Sequence, residues 1–199
     1  LDFKINNLLS LKTKNRYFII CNQFWKHKNF ETAIKAMVFF KDKDIKLKIT
    51  GEYKNVKNLD YFFYIKSLSK KLGIKNNIEF LGNINKKKQI QLILNSIALI
   101  QPSLSEGGPG GYSSYEAISL GKPLIASKTS INLEMKGKNI FFFKKKNQKD
   151  LYKKMLYLFN KKTKKINLRQ IENSSKINKK KLGREIFKIL KIFEKKKYV

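Results

Sequence analysis

Two carboxylates bracket a run of glycines. In residues 101–127, QPSLSEGGPGGYSSYEAISLGKPLIAS, Glu106 precedes Gly107, Gly108, Gly110 and Gly111, and Glu116 follows them. Glycines let the backbone adopt φ > 0 and let a ligand approach main-chain amides closely. A helix starting after such a loop, near Tyr112, adds unpaired N–H groups and a partial positive charge, an arrangement suited to phosphate. Bare phosphate has no use for two carboxylates. A sugar nucleotide does: its diphosphate can meet the amides while its hydroxyls meet Glu106 and Glu116.

These residues need elements that hold them together. The apolar run at residues 97–101 predicts a strand. Residues 112–120 predict a short helix stopped by Gly121 ahead of Pro123, and residues 124–126 a second strand. The same order occurs earlier: RYFIIC at residues 16–21 predicts a buried strand, NQFWKHKN a loop, and Phe30, Ile34, Met37 and Val38 fall at helical spacing. IKLKIT, residues 45–50, predicts a strand closed by Gly51. A helix over about residues 59–72, a strand at 77–82, a helix from Lys86, a strand at 139–143 and a helix at 150–159 follow. Such alternation predicts an α/β fold with a doubly wound, Rossmann-like parallel sheet of about five or six strands in a single domain. Ligands of such sheets bind at the carboxyl ends of the strands. The turns at residues 22–28, Gly51, Gly82 and residues 106–112 should therefore open on one edge.

The stretch PSLSEGG…YEAISLGKPLIAS resembles the donor-binding signature of the retaining GT-B glycosyltransferases of the group 1 type, P-S-x-x-E-G-F-G-x-x-x-x-E-A-x-x-x-G-x-P-V-I. The resemblance implies that Glu106 is the catalytic-site acid meeting the transferred sugar and that Glu116 holds the ribose. Gly107, Gly108, Gly110, Gly111 and Tyr112 would border the diphosphate, in a loop two residues longer than the family pattern. NQFWKHKN is similar to the family's V-G-R-x-x-x-x-K-G. Lys28 would then grip the diphosphate, with Asn22 in the Gly place and Gln23 in the Arg place. Gln23 brings a donor without a charge, so weaker diphosphate binding is expected unless Lys26 or His27 supplies one. NIEFLG matches V-x-F-L-G, which implies base contacts from Gly82, Asn83 and Ile84, and Gly51 opens on the same edge. Residues 128–135 would cover the site, with Glu134 a further match.

By this resemblance the chain is one half of a GT-B fold, its C-terminal donor-binding domain. It would transfer a hexose from a UDP- or GDP-sugar with retention of configuration, needing no cofactor and no metal. The acceptor-binding N-terminal domain would be missing, leaving the isolated chain able to bind nucleotide and unable to transfer sugar. A sugar-nucleotide epimerase or another GT-B enzyme remains an alternative. So does a basic module for nucleic acid or anionic membrane.

Composition bounds these readings. A chain of 199 residues with 42% hydrophobic content can bury one sizeable core. It contains no apolar run of about eighteen residues, the minimum for a membrane-spanning helix, and no cleavable leader is expected. The formal charge of +31 invites a nucleic-acid reading, yet the lysines are spread over nearly every helix and loop. Nucleic acid is therefore not an expected partner. A cytoplasmic protein is expected, with peripheral contact to the anionic inner face of the membrane. Cys21 and His27 are each the only residue of their type, which excludes an internal disulfide and argues against a zinc site. Trp25, the only tryptophan, is read as a core anchor in preference to an aromatic at the cleft rim. The organisation predicted is a lead at residues 1–15, a nucleotide-sugar-binding domain at 16–162, and a basic helical tail at 163–199 packing on that domain.

Overall fold

The computed structural model describes residues 16–53, 59–106 and 111–161, together with tail positions 173, 176–177, 180, 183–188 and 191. The predicted lead, most of the lysine-rich run after Lys161, and Gly107, Gly108 and Gly110 lie outside the described residues. The chain divides into two compact units, Leu1–Lys164 and Lys165–Val199. In the second, the described tail positions are helical and exposed.

The first unit is built on six strands: β1 (Arg16–Cys21), β2 (Ile45–Thr50), β3 (Ile78–Gly82), β4 (Leu99–Gln101), β5 (Leu124–Ser127) and β6 (Ile140–Phe143). Their order across the sheet is β3-β2-β1-β4-β5-β6, and every neighbouring pair is parallel. The helices are α1 (Phe30–Met37), α2 (Leu59–Lys71), α3 (Lys86–Asn95), α4 (Tyr112–Ser119), α5 (Ser130–Leu133) and α6 (Gln148–Asn160). α1 packs against α2 and α6, whereas α3 packs against α4 and β1. This is the doubly wound arrangement that the strand–helix alternation predicts.

β1 is central because its side chains serve both faces. Phe18 and Ile20 enter one apolar cluster with Phe30, Ile34, Met37 and Phe40. Tyr17 points to the other face, where its hydroxyl donates to the Leu92 carbonyl of α3 at 2.8 Å. All four residues from Tyr17 to Ile20 are fully buried, as a strand covered by helices on both sides requires. Burying each such side chain contributes about 1.5–3 kcal/mol.

Three predicted elements differ in detail, β4 among them, which begins at Leu99 rather than at residue 97. α6 starts at Gln148 because the Asn147 side chain caps it, accepting from the Asp150 amide at 2.9 Å. The stretch after β5, predicted as a loop, contains the single turn α5, capped by Thr129.

Candidate functional site

In a sheet of this order the chain reverses its winding direction between β1 and β4, which leaves a crevice at their carboxyl ends. Phe24 shapes the loop after β1. Its ring is buried, stacked on Phe30 at 4.7 Å and edge-on to Phe62 at 5.0 Å. With Phe24 inward, its neighbours Gln23 and Trp25 face out. Trp25 is 41% exposed, so of its two readings the core one fails: Phe24 fills that place instead. A 3-10 turn (Lys26–Lys28) then leads to Asn29, whose left-handed conformation (φ 52°) turns the chain into α1.

Two hydrogen bonds tie this loop to the segment after β4. The Asn29 side-chain amide donates to the Pro102 carbonyl at 2.9 Å, and the Leu104 amide donates to the His27 carbonyl at 2.7 Å. They bring Lys28 against Glu106, with Nζ 2.6 Å from Oε2 and side chains only 11% and 7% exposed. The other carboxylate oxygen, Oε1, accepts from Gln101 Nε2 at 2.7 Å. Gln101 Oε1 in turn accepts from Asn22 Nδ2 at 3.0 Å. Lys28, Glu106, Gln101 and Asn22 thus form one connected polar group at the crevice.

The start of α4 lies on top of this group. A Cβ at Gly111 would sit 3.2 Å from Gln101 Nε2 and 3.8 Å from Asn22 Oδ1, so a side chain there would press on the buried amides. Among the described residues no side chain caps the helix start, and the first amides of a helix have no intrahelical partner. Ser113 Oγ donates to the Cys21 carbonyl at 3.3 Å, fixing α4 to the end of β1. One turn further along, Glu116 meets Lys86 and accepts from Gln89 Nε2 at 2.9 Å, both from α3. The Cys21 thiol is pushed up to about 12, first by burial; the Glu116 charge raises it further while Thr50 and Lys86 lower it. Glu116 therefore stands near the end of β1, on the same sheet edge as Glu106.

The remaining predicted residues occupy the surrounding turns. Gly51 (φ +147°) has no room for a side chain, since a Cβ would lie 2.0 Å from the Asn22 carbonyl oxygen. Its amide donates to the Gly82 carbonyl at 2.9 Å, joining the turns after β2 and β3. Asn83, Gln23 and Tyr112 are exposed on this edge. Burial, and then the neighbouring Lys28 charge, lower the His27 pKa from its ordinary value, while the Glu106 charge raises it. Lys26, the other residue named for the charge that Gln23 lacks, is exposed. Glu134 is exposed, while α5 is held by Asn132, whose amide donates to the Ser127 carbonyl at 2.9 Å. Sequence reasoning missed Gln101, Lys86 and Gln89. A polar amide ending an otherwise apolar strand was the available signal for Gln101; Lys86 and Gln89 had only their i, i+3 spacing. Among the described residues no three His, Cys, Asp or Glu side chains are grouped as a metal site requires, and no helix is long and apolar enough to cross a membrane.

Residues 3–177 match the family model described as Glycosyl transferases group 1. The chain belongs to this family. Comparison with curated proteins gave no match. Among solved structures, Anabaena HepE in complex with UDP and glucose superimposes with a TM-score of 0.66 at 20% identity, over 73% of this chain and 39% of that one. The C-terminal domain of the group 1 family protein LpcC from Francisella tularensis gives 0.65 at 20% identity, over 81% and 84%. The catalytic domain of cholesterol-alpha-glucosyltransferase from Helicobacter pylori gives 0.59 at 21% identity, over 82% and 99%. At these identities the likeness is one of fold. The chain spans well under half the length of the HepE chain it matches.

Proposed function

We propose that this chain is the donor-binding half of a glycosyltransferase that moves a hexose from a UDP- or GDP-sugar to an acceptor, with retention and without a bound metal. The observation that carries the reading is the Lys28–Glu106 pair, a cation and an acid built into the crevice between β1 and β4 beside the open start of α4. Lys28 and the first amides of α4 offer positive potential where negative charge develops on a departing diphosphate. Fixed before the reaction begins, they stabilise that charge without having to reorient. Glu106, with both oxygens already accepting hydrogen bonds, is suited to orienting a sugar hydroxyl. Glu116 stands where a ribose would follow the diphosphate and can accept from its hydroxyls once Lys86 and Gln89 yield. The complexes of HepE with UDP and glucose and with UDP-glucose support a uridine donor as the first to try.

The acceptor site is assigned to an N-terminal domain outside this chain. Titration with UDP-, GDP- and ADP-sugars by calorimetry tests the donor reading: one of them should bind, and failure of all three would refute it. Sugar transfer by these residues alone would refute the assignment of the acceptor site elsewhere. The basic surface makes peripheral contact with an anionic membrane a secondary element of the proposal.

A further inference from the structure

Gln101 is the last residue of β4, follows the fully buried Leu99 and Ile100, and is itself fully buried. An amide in such a place is tolerated only when its polar atoms are satisfied, and both are. The direction of its hydrogen bonds is determined by chemistry. An ionised carboxylate only accepts, so the Gln101 NH2 must face Glu106 and its carbonyl must face Asn22, whose NH2 donates to it. The chain of bonds runs one way, from Asn22 through Gln101 to Glu106, and Lys28 closes it from the other side. A side chain at position 111 would press on Gln101 and Asn22, and glycine there spares them that contact.

We propose that Gln101 is a positioning residue for the donor sugar, holding Glu106 in the orientation that meets a sugar hydroxyl, with Asn22 fixing the direction of its amide. The inference rests on the donor-binding reading above and extends it to two buried residues behind Glu106. Gln101 acts on the sugar end of the donor through Glu106, whereas Lys28 and the α4 amides serve the diphosphate. A change at Gln101 should therefore separate the two ends of the ligand.

The test compares a sugar nucleotide with its own nucleoside diphosphate, UDP-glucose with UDP or GDP-mannose with GDP, by calorimetry on the full chain. Gln101→Met keeps the length and removes both hydrogen bonds. It should lower the preference for the sugar nucleotide about tenfold, in line with losing a hydrogen bond to a charged group, while the diphosphate alone changes less than about threefold. Asn22→Ala should move the preference in the same direction by less. Equal losses for both ligands, or an unchanged preference, would overturn the positioning role. If Gln101→Met does not fold, an unchanged preference in Asn22→Ala overturns it instead. A wild-type chain that binds neither kind of ligand refutes the donor reading itself, and with it this inference.

Discussion

Two lysine–glutamate pairs face the same sheet edge, and they are built differently. Lys28–Glu106 joins two loops anchored in the core, with both side chains nearly enclosed. Lys86–Glu116 joins the exposed faces of α3 and α4; Lys86 is 46% exposed although Glu116 is only 13% exposed. In the first, the carboxylate has donors on both oxygens and those donors are themselves held. In the second, a long exposed lysine side chain can swing away. The contrast is one of rigidity: the enclosed pair has its geometry fixed by folding, whereas the outer pair can open by movement of one exposed side chain. Lys122 provides a third case. It is buried between α4 and β5, forms no ion pair among the described residues, and has its pKa lowered to about 8 by burial alone.

The strongest break in this comparison is Lys28→Met, which leaves the enclosed Glu106 without its cation. Removing one partner of a buried pair costs about 3–5 kcal/mol, so urea unfolding should show a loss of that order, and diphosphate binding should fall with it. Next, Glu116→Ala should weaken nucleotide binding roughly ten- to hundredfold in calorimetric titration with the unfolding midpoint nearly unchanged. Binding that stays the same would remove Glu116 from the site.

Lys122 sharpens the comparison through pH. Its folded pKa lies below the unfolded value, so between about pH 8 and 10.5 the unfolded chain binds more protons. Stability from this group should rise as pH climbs through that window. Lys122→Met should flatten the rise and add on the order of 1 kcal/mol near neutrality, read from urea unfolding at several pH values. The smallest effect belongs to Lys86→Ala, where exposure limits the pair to about 0–1 kcal/mol of stability. A double-mutant cycle on Lys86 and Glu116 giving a coupling as large as that of Lys28 and Glu106 would erase the distinction between the pairs.

The fold was legible where burial imposes a pattern. β1 and β2 begin and end at the predicted residues, since a strand covered on both faces is continuously apolar and IKLKIT alternates. A helix end was legible where glycine stops it: Gly121 adopts a positive φ of 66°. The start of α6 was not, because its cap is an asparagine outside the periodic stretch. Within the site, the motif frame led to Lys28, Glu106 and Glu116. Gln101 could not be found that way, because its meaning comes from Asn22, 79 positions earlier, and only the parallel pairing of β1 with β4 puts the two together. Lys86 was hidden for another reason: in a chain with 45 lysines and arginines, one more helix lysine carries no signal until its partner is seen.

Phe24 has a further consequence for how donor choice can change. Its ring, wedged among Phe30, Phe62 and Tyr53, secures the loop backbone without any help from the outward side chains on either side. Gln23 and Trp25 are therefore free to be exchanged while the path of the loop is preserved, so an uncharged Gln23 is a change in chemistry that the architecture tolerates. A library randomised at those two positions should yield mostly folded proteins, and on the donor-binding proposal its members should differ in which activated sugar they retain.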